Sequence, residues 1–300
     1  MRSTAARWVL FALATVVTLA AIGGYYFFRH PVATFERIGR WTLSTAGLTR
    51  REAAGPGGRL VWWSGGTGPV VVLLHGSNDS AAGWARVVKE LVRGRRLVVP
   101  DVPGHGESDP KEGPLPIGDM LAGIDAVVAA EAPSGKVSLV GNSMGGWLAL
   151  LWAREHPERV DRVVVENGAP VAAGIGKVNM FPKNREEMRE TLYALMGPDA
   201  PPFADFVIDD FVRQTKTGSF GRVAKTDLRP YALDGRLGEI GVPVVLLWGD
   251  SDELLPLAYA EALQSGLPNA RLEVLTRCGH VSHRECPAKF VAALEKALAP

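Results

Sequence analysis

Six short runs rich in β-branched and apolar residues recur along the chain, with segments of helical length between most of them, and this alternation constrains the fold more than any other feature. The runs are PVVVLL (69–74), RLVVP (96–100), KVSLV (136–140), VDRVVV (160–165), PVVLLW (243–248) and RLEVL (271–275). Continuous apolar runs of this length, lacking polar alternation, suit strands buried on both faces. Helices are expected over 81–92, 117–130, 144–155, 257–265 and 287–298. Strand–helix alternation with repeated turns argues for an α/β fold: a mostly parallel sheet with helices on both faces.

The rhythm breaks twice. More than 70 residues with no good strand separate Glu166 from Pro243. Within them Met188, Leu192, Leu195 and Met196 follow helical spacing, as do Phe203, Phe206, Val207 and Phe211, with Asp210 as the polar exception. A helical insertion over the sheet is expected across 169–237. The second break is N-terminal. Trp8–Phe28 is a run of 21 residues without a charge, about 31 Å long as a helix, which matches a hydrocarbon core. Trp8, Tyr25 and Tyr26 sit near its ends, where amphipathic rings favour the interface. Two readings stand, a transmembrane anchor and a cleaved signal peptide with the small residues near Ala20–Gly24 as its cleavage region. The anchor is preferred because the apolar run continues through Tyr25-Tyr26-Phe27-Phe28. Arginines lie on both flanks and leave the orientation open. Arg29, Arg37, Arg40, Arg50 and Arg51 suit either anionic headgroups or a solvated basic linker. The expected organisation is an anchor over 1–30, a connector over 31–57, a core over 58–168 and 238–300, and the insertion over 169–237.

Charge excludes one large class of function. Among 300 residues, 33 basic groups face 32 acidic ones, so no strong field attracts nucleic acid, and no nucleic-acid partner is expected. The two cysteines, Cys278 and Cys286, are too few for a disulfide framework and match no zinc spacing. One bridge is conceivable; two free thiols are the expectation.

The chemistry centres on Gly141-Asn142-Ser143-Met144-Gly145, a G-x-S-x-G between an expected strand and an expected helix. A nucleophile on so sharp a turn needs strained dihedrals, and the flanking glycines make room for it. A serine hydroxyl needs a base, and the base an orienting acid. Of the six histidines, His280 follows the last strand at the sheet's carboxyl edge, where ligands meet open α/β sheets. It is the expected base. His283 is second, more at home on the loop surface; His75 and His105 lie in glycine turns and suit backbone organisation. Asp250 and Asp252 both follow a strand one element earlier, and either can turn inward. An oxyanion would be met by the N–H of Met144 and by an N–H from His75-Gly76-Ser77-Asn78, with Ser77 the expected donor.

His75-Gly76-Ser77, Asp101-Val102-Pro103-Gly104-His105-Gly106-Glu107-Ser108, Gly141-Asn142-Ser143-Met144-Gly145-Gly146, Trp248-Gly249-Asp250-Ser251-Asp252 and Cys278-Gly279-His280 together resemble the α/β-hydrolase family in order and spacing, across roughly residues 58–298. The resemblance implies the α/β-hydrolase fold and selects Asp252, the G-x-x-D aspartate, as the acid. It also supports Ser77, which follows the His-Gly pair, as a hole donor. No cofactor and no metal is implied. The N-terminal segment, an insertion containing Phe181-Pro182-Lys183-Asn184-Arg185-Glu186-Glu187-Met188, and the Cys-Gly-His ending are similar to membrane-anchored monoacylglycerol lipases and related bacterial lipases. That likeness implies a lid over an acyl pocket and a small-molecule or lipid ester as substrate.

The expected activity is therefore serine hydrolysis of carboxylic esters through Ser143, Asp252 and His280, on a chain held to a membrane by residues 8–28. Two alternatives stand. Gly-Asn-Ser-Met-Gly-Gly also resembles carbon–carbon hydrolases of aromatic ring cleavage, whose soluble dienoate substrates gain nothing from an anchor. The other is a silent hydrolase-like scaffold, which such chains become by losing one of the three residues; here all three are present.

Overall fold

Alternate residues of the apolar runs feed two separate cores, which places the sheet between two helical layers. The computed structural model describes residues 2–168, 178–215 and 218–299. Its eight strands are β1 (Thr49–Gly55), β2 (Gly58–Gly66), β3 (Val70–Leu74), β4 (Arg96–Asp101), β5 (Val137–Asn142), β6 (Val160–Glu166), β7 (Val244–Gly249) and β8 (Ala270–Leu275). They form one sheet in the order β1-β2-β4-β3-β5-β6-β7-β8. β2 is antiparallel to both its neighbours and every other pair is parallel.

The helices are α1 (Arg2–Arg29), α2 (Pro31–Thr45), α3 (Val88–Leu91), α4 (Ile117–Glu131), α5 (Met144–Glu155), α6 (Arg185–Leu195), α7 (Asp205–Thr215), α8 (Ser219–Val223), α9 (Leu257–Gly266), α10 (Ser282–Glu285) and α11 (Pro287–Leu298). Val72, Leu74, Leu139, Val163, Val165 and Leu246 face α4, α5 and α9 in one core. Val71, Leu73, Val140, Val164, Val245 and Leu247 face the other, with Leu43 of α2, Trp84 and Phe290 of α11. Strand side chains alternate between faces, so each run supplies both cores at once.

The six expected strands and four of the five expected helices are present within a residue or two. The segment 81–92 differs, forming a 3-10 turn over Ala81–Arg86 and then the single turn α3. The connector expected over 31–57 is not one: it forms α2 and β1, and β1 extends the sheet. β1 (TRREAAG) is an exposed edge strand without apolar alternation and is held by its pairing with β2. α2 turns only Pro31, Gly39 and Leu43 fully inward, while its large apolar residues Phe35, Ile38 and Trp41 face solvent, so its apolar row does not mark a face packed on the core. α1 is long and apolar enough to cross a membrane, and none of that span is buried.

Between β6 and β7 the described chain is helical, as expected. Met188 of α6 and Val207 and Ile208 of α7 are buried. Asp210, the polar exception, is buried too: its carboxylate accepts the Val32 N–H at 3.1 Å, near the start of α2, and pairs with Arg213. Residues 169–177 and 216–217 of this insertion lie outside the described residues, as do Met1 and Pro300.

Candidate active site

The turn from β5 into α5 carries Ser143 at φ 53°, ψ −119°, in the region L-residues avoid. The flanking glycines make this possible. A Cβ on Gly145 would lie 2.1 Å from the Leu74 carbonyl oxygen, and one on Gly141 would lie 2.2 Å from the carbonyl oxygen of Gly145. Both obstacles are backbone and cannot swing aside. Gly145→Ala is therefore expected to destabilise the fold by about 1–3 kcal/mol and to displace the serine. Denaturant midpoints and ester turnover measured on the same sample check both effects. The Ser143 N–H donates to the Glu166 carbonyl at 2.9 Å, which ties the turn to the end of β6.

The expected base and acid meet. Asp252 and His280 are both buried, and Asp252 Oδ2 lies 2.7 Å from His280 Nδ1. A carboxylate only accepts, so Nδ1 carries the proton of that bond and Nε2 is left with its lone pair. Asp252 is held by further donors: the N–H groups of Leu254 and Leu255 reach Oδ1 at 2.9 and 3.0 Å, and Asn167 Nδ2 reaches Oδ2 at 2.7 Å. Asp250 instead is exposed and accepts the Arg277 N–H at 2.7 Å, a turn-stabilising role. The base loop is fixed from two sides. The His280 N–H donates to the Leu195 carbonyl of α6 at 2.7 Å, and Asn142 Nδ2, next to Ser143, donates to the His280 carbonyl at 2.8 Å.

Burial alone would push the His280 imidazole below its ordinary value. The charge of Asp252 and the hydrogen bond to it, helped by Glu166 and Glu285, outweigh that and leave it raised. Only the neutral ring accepts a proton, so the sign is plain: a reaction that uses His280 as its base is lost as the pH falls through this raised value. The acid limb of kcat/KM is expected to have its midpoint above the ordinary imidazole value of about 6.5. A pH–rate profile measures it directly.

The two expected oxyanion donors are neighbours. Ser77 Oγ donates to Met144 Sδ at 3.1 Å, and neither the Ser77 nor the Met144 N–H has an acceptor among the described residues. The loop carrying Ser77 is braced on both sides. The His75 ring contacts the Gly76 carbonyl through Nδ1 at 2.8 Å and accepts the Val102 N–H on Nε2 at 3.1 Å. Asn78, at φ 57°, accepts the Phe220 N–H and donates its own N–H to Ser219 Oγ, both on α8. His105 is buried, with Nδ1 against the Pro103 carbonyl; burial and the neighbouring His75 push its pKa down to about 3, so it stays neutral. Both rings thus organise backbone, as their glycine turns implied.

Two expectations fail at this end of the sheet. Cys278 and Cys286 are paired as a disulfide, not free. The short α10 folds the chain back and brings their Cα atoms to 6.2 Å, a closure that a separation of eight residues does not reveal. His283 is wholly buried rather than on the loop surface: its ring stacks on Trp84 at 4.2 Å and its Nδ1 lies 2.8 Å from Glu166 Oε2. Asn167 was not foreseen at all. Its positive φ of 43° at a strand end suits asparagine, but its partner stands 85 positions away. Among the described residues no group of three or more His, Cys, Asp or Glu is arranged to hold a metal ion.

Comparison with known proteins gives the family. A 2-hydroxy-6-oxononadienedioate/2-hydroxy-6-oxononatrienedioate hydrolase of Cupriavidus pinatubonensis is 32% identical over 249 residues, 76% of this chain and 86% of that protein. The crystal structure of a membrane phospholipase A, described as a bacterial virulence factor, aligns with a TM-score of 0.77 at 25% identity, covering 96% of this chain and 97% of the other. The naproxen esterase of Bacillus subtilis shares the fold, with a TM-score of 0.72 at 19% identity over 88% of this chain and 97% of its own. Residues 71–294, from β3 to within α11, match the model of the alpha/beta hydrolase family, and the chain is a member of that family.

Proposed function

We propose that the chain is a membrane-anchored serine hydrolase that cleaves carboxylic esters of acyl lipids, of the monoacylglycerol type. Ser143 Oγ attacks the ester carbonyl carbon while His280 Nε2 takes its proton and Asp252 holds the imidazolium. The oxyanion is received by the N–H groups of Ser77 and Met144. Collapse breaks the acyl–oxygen bond, and the leaving alcohol takes the proton from His280. Water, deprotonated by the same ring, then attacks the acyl-serine; the acid departs and Ser143 regains its proton. The observation that carries the reading is the 2.7 Å contact between Asp252 Oδ2 and His280 Nδ1, on a base loop hydrogen-bonded to the residue before Ser143.

Two features favour a lipid ester. α1 suits a bilayer span, and an anchor raises the effective concentration of substrates dissolved in the same bilayer. The helices between β6 and β7 contact both sides of the site, α6 through the His280 N–H and α8 through the Ser77 loop, where a lid would sit. A second reading rests on the Cupriavidus relative, whose name is that of a carbon–carbon hydrolase. The same serine and base would serve it, with a soluble dienoate as substrate. Full-length protein in detergent micelles, given p-nitrophenyl esters from acetate to laurate, a long-chain monoacylglycerol and a ring-cleavage dienoate, separates the two. The lipid reading expects kcat/KM to rise with acyl length, monoacylglycerol to be hydrolysed and the dienoate to be inert. Turnover of the dienoate with idle esters would replace it with the second reading.

A further inference from the structure

α2 presents an apolar stripe to solvent beside its contact with the body. Gly39 and Leu43 face inward; Gly39 sits so tightly on the body that a Cβ there would lie 2.8 Å from Ala82. Phe35, Ile38 and Trp41, spaced to share one helical face, are 54%, 51% and 68% exposed. The threonines beside them, Thr34, Thr42 and Thr45, turn their hydroxyls back onto the carbonyls of His30, Ile38 and Thr42. Those groups are satisfied within the helix and need no water. The stripe holds no acidic residue: Glu36 lies towards the inner side and pairs with Arg40. Single exposed apolar side chains are ordinary, but an aligned row with internally bonded polar neighbours is not.

The stripe is continuous with α1. Only His30 separates the two helices, so Phe35 stands about 9 Å along the chain from the end of α1, at 1.5 Å per helical residue. The Phe27 ring packs against both Phe35 and Phe206 of α7, at 6.2 and 5.5 Å, and Phe28 against Phe206 at 5.0 Å. Arg213 of α7 donates to the Arg29 carbonyl at 2.8 Å. One apolar surface therefore runs from the end of α1 across α2 and touches the helices between β6 and β7.

We infer that α2 is an interfacial helix whose Phe35–Ile38–Trp41 face rests in the headgroup–acyl boundary of the bilayer that α1 crosses, seating the body and its insertion on that surface. Helices with an apolar face and flanking arginines bind such boundaries, and the aromatic residues suit that depth. The inference rests on the anchor reading of α1 and extends it from a tether to a fixed pose.

Full-length protein reconstituted in phosphatidylcholine–phosphatidylglycerol vesicles tests it by nitroxide accessibility. Single labels are placed through Phe35→Cys, Ile38→Cys and Trp41→Cys, with Val16→Cys within α1 and Ser265→Cys on α9 as references. Relative to Ser265→Cys, the three stripe positions are expected to show several-fold less collision with a water-soluble nickel chelate and more with oxygen, as Val16→Cys should. Stripe labels as open to nickel as Ser265→Cys, with Val16→Cys in lipid, would overturn the interfacial pose and leave the anchor standing. Stripe labels shielded from both reagents, with spin–spin broadening that vanishes on dilution with unlabelled chain, would overturn it in favour of a second copy. Val16→Cys open to nickel would overturn the anchor reading and the pose together.

Discussion

Replacing Ser143 with alanine is expected to lower kcat on an activated ester by about 10⁵- to 10⁶-fold, roughly 7–8 kcal/mol of transition-state stabilisation. The size follows from what is removed. Without the hydroxyl no acyl-enzyme forms, and the imidazole, the carboxylate and the oxyanion donors are left with only the direct attack of water to assist. The substitution keeps a Cβ at a position already held at φ 53°, so the backbone sees the same steric demand. Thermal unfolding should be nearly unchanged, and the loss should lie in kcat far more than in KM. Steady-state kinetics beside a melting curve make the check.

Asp252→Asn should be almost as damaging, about 10⁴-fold in kcat, for a reason visible in the geometry. The donors around this side chain are His280 Nδ1 and Asn167 Nδ2 on one oxygen and the N–H groups of Leu254 and Leu255 on the other. A carboxylate accepts from them all. A carboxamide has a single acceptor oxygen, so its NH₂ must face one of these pairs. If it faces His280, the ring is driven to the tautomer whose Nε2 carries hydrogen and cannot act as base. If it faces the backbone, two buried donors lose their acceptor, at about 1–3 kcal/mol each. Turnover and stability should therefore fall together, unlike in Ser143→Ala. The charge that raises the His280 pKa also disappears, so the acid limb of the residual activity should move to lower pH. A limb that stays in place would mean that some other group sets it.

What could be read without coordinates follows a physical line. β3, β5, β6 and β7 are strands whose apolar residues predominate and whose residues are mostly buried, and such runs declare themselves locally. Ser143 was legible because a strained turn between strand and helix demands glycines at fixed offsets. β1 was not legible: its stability lies in hydrogen bonds to β2, and pairing leaves little trace in side-chain pattern. α2 escaped because its large apolar residues, Phe35, Ile38 and Trp41, face solvent and not the core. Choosing Asp252 over Asp250 needed the family likeness, since two aspartates two positions apart on a turn differ only in which one points inward. His283 and Asn167 stayed hidden because their meaning resides in partners 117 and 85 positions distant. The cysteine pair failed similarly, because whether two thiols meet depends on the path of α10 between them.

The claim on which the account rests is that the Ser143 hydroxyl is the activated nucleophile, and covalent trapping tests it most directly. Full-length protein, treated with a fluorophosphonate and digested, should carry a single phosphonyl adduct on the peptide containing Gly141-Asn142-Ser143-Met144-Gly145. Fragmentation should assign it to Ser143, and His280→Ala should nearly abolish its formation. An unlabelled Ser143 in a preparation that hydrolyses esters, or an adduct on another residue, would contradict the account.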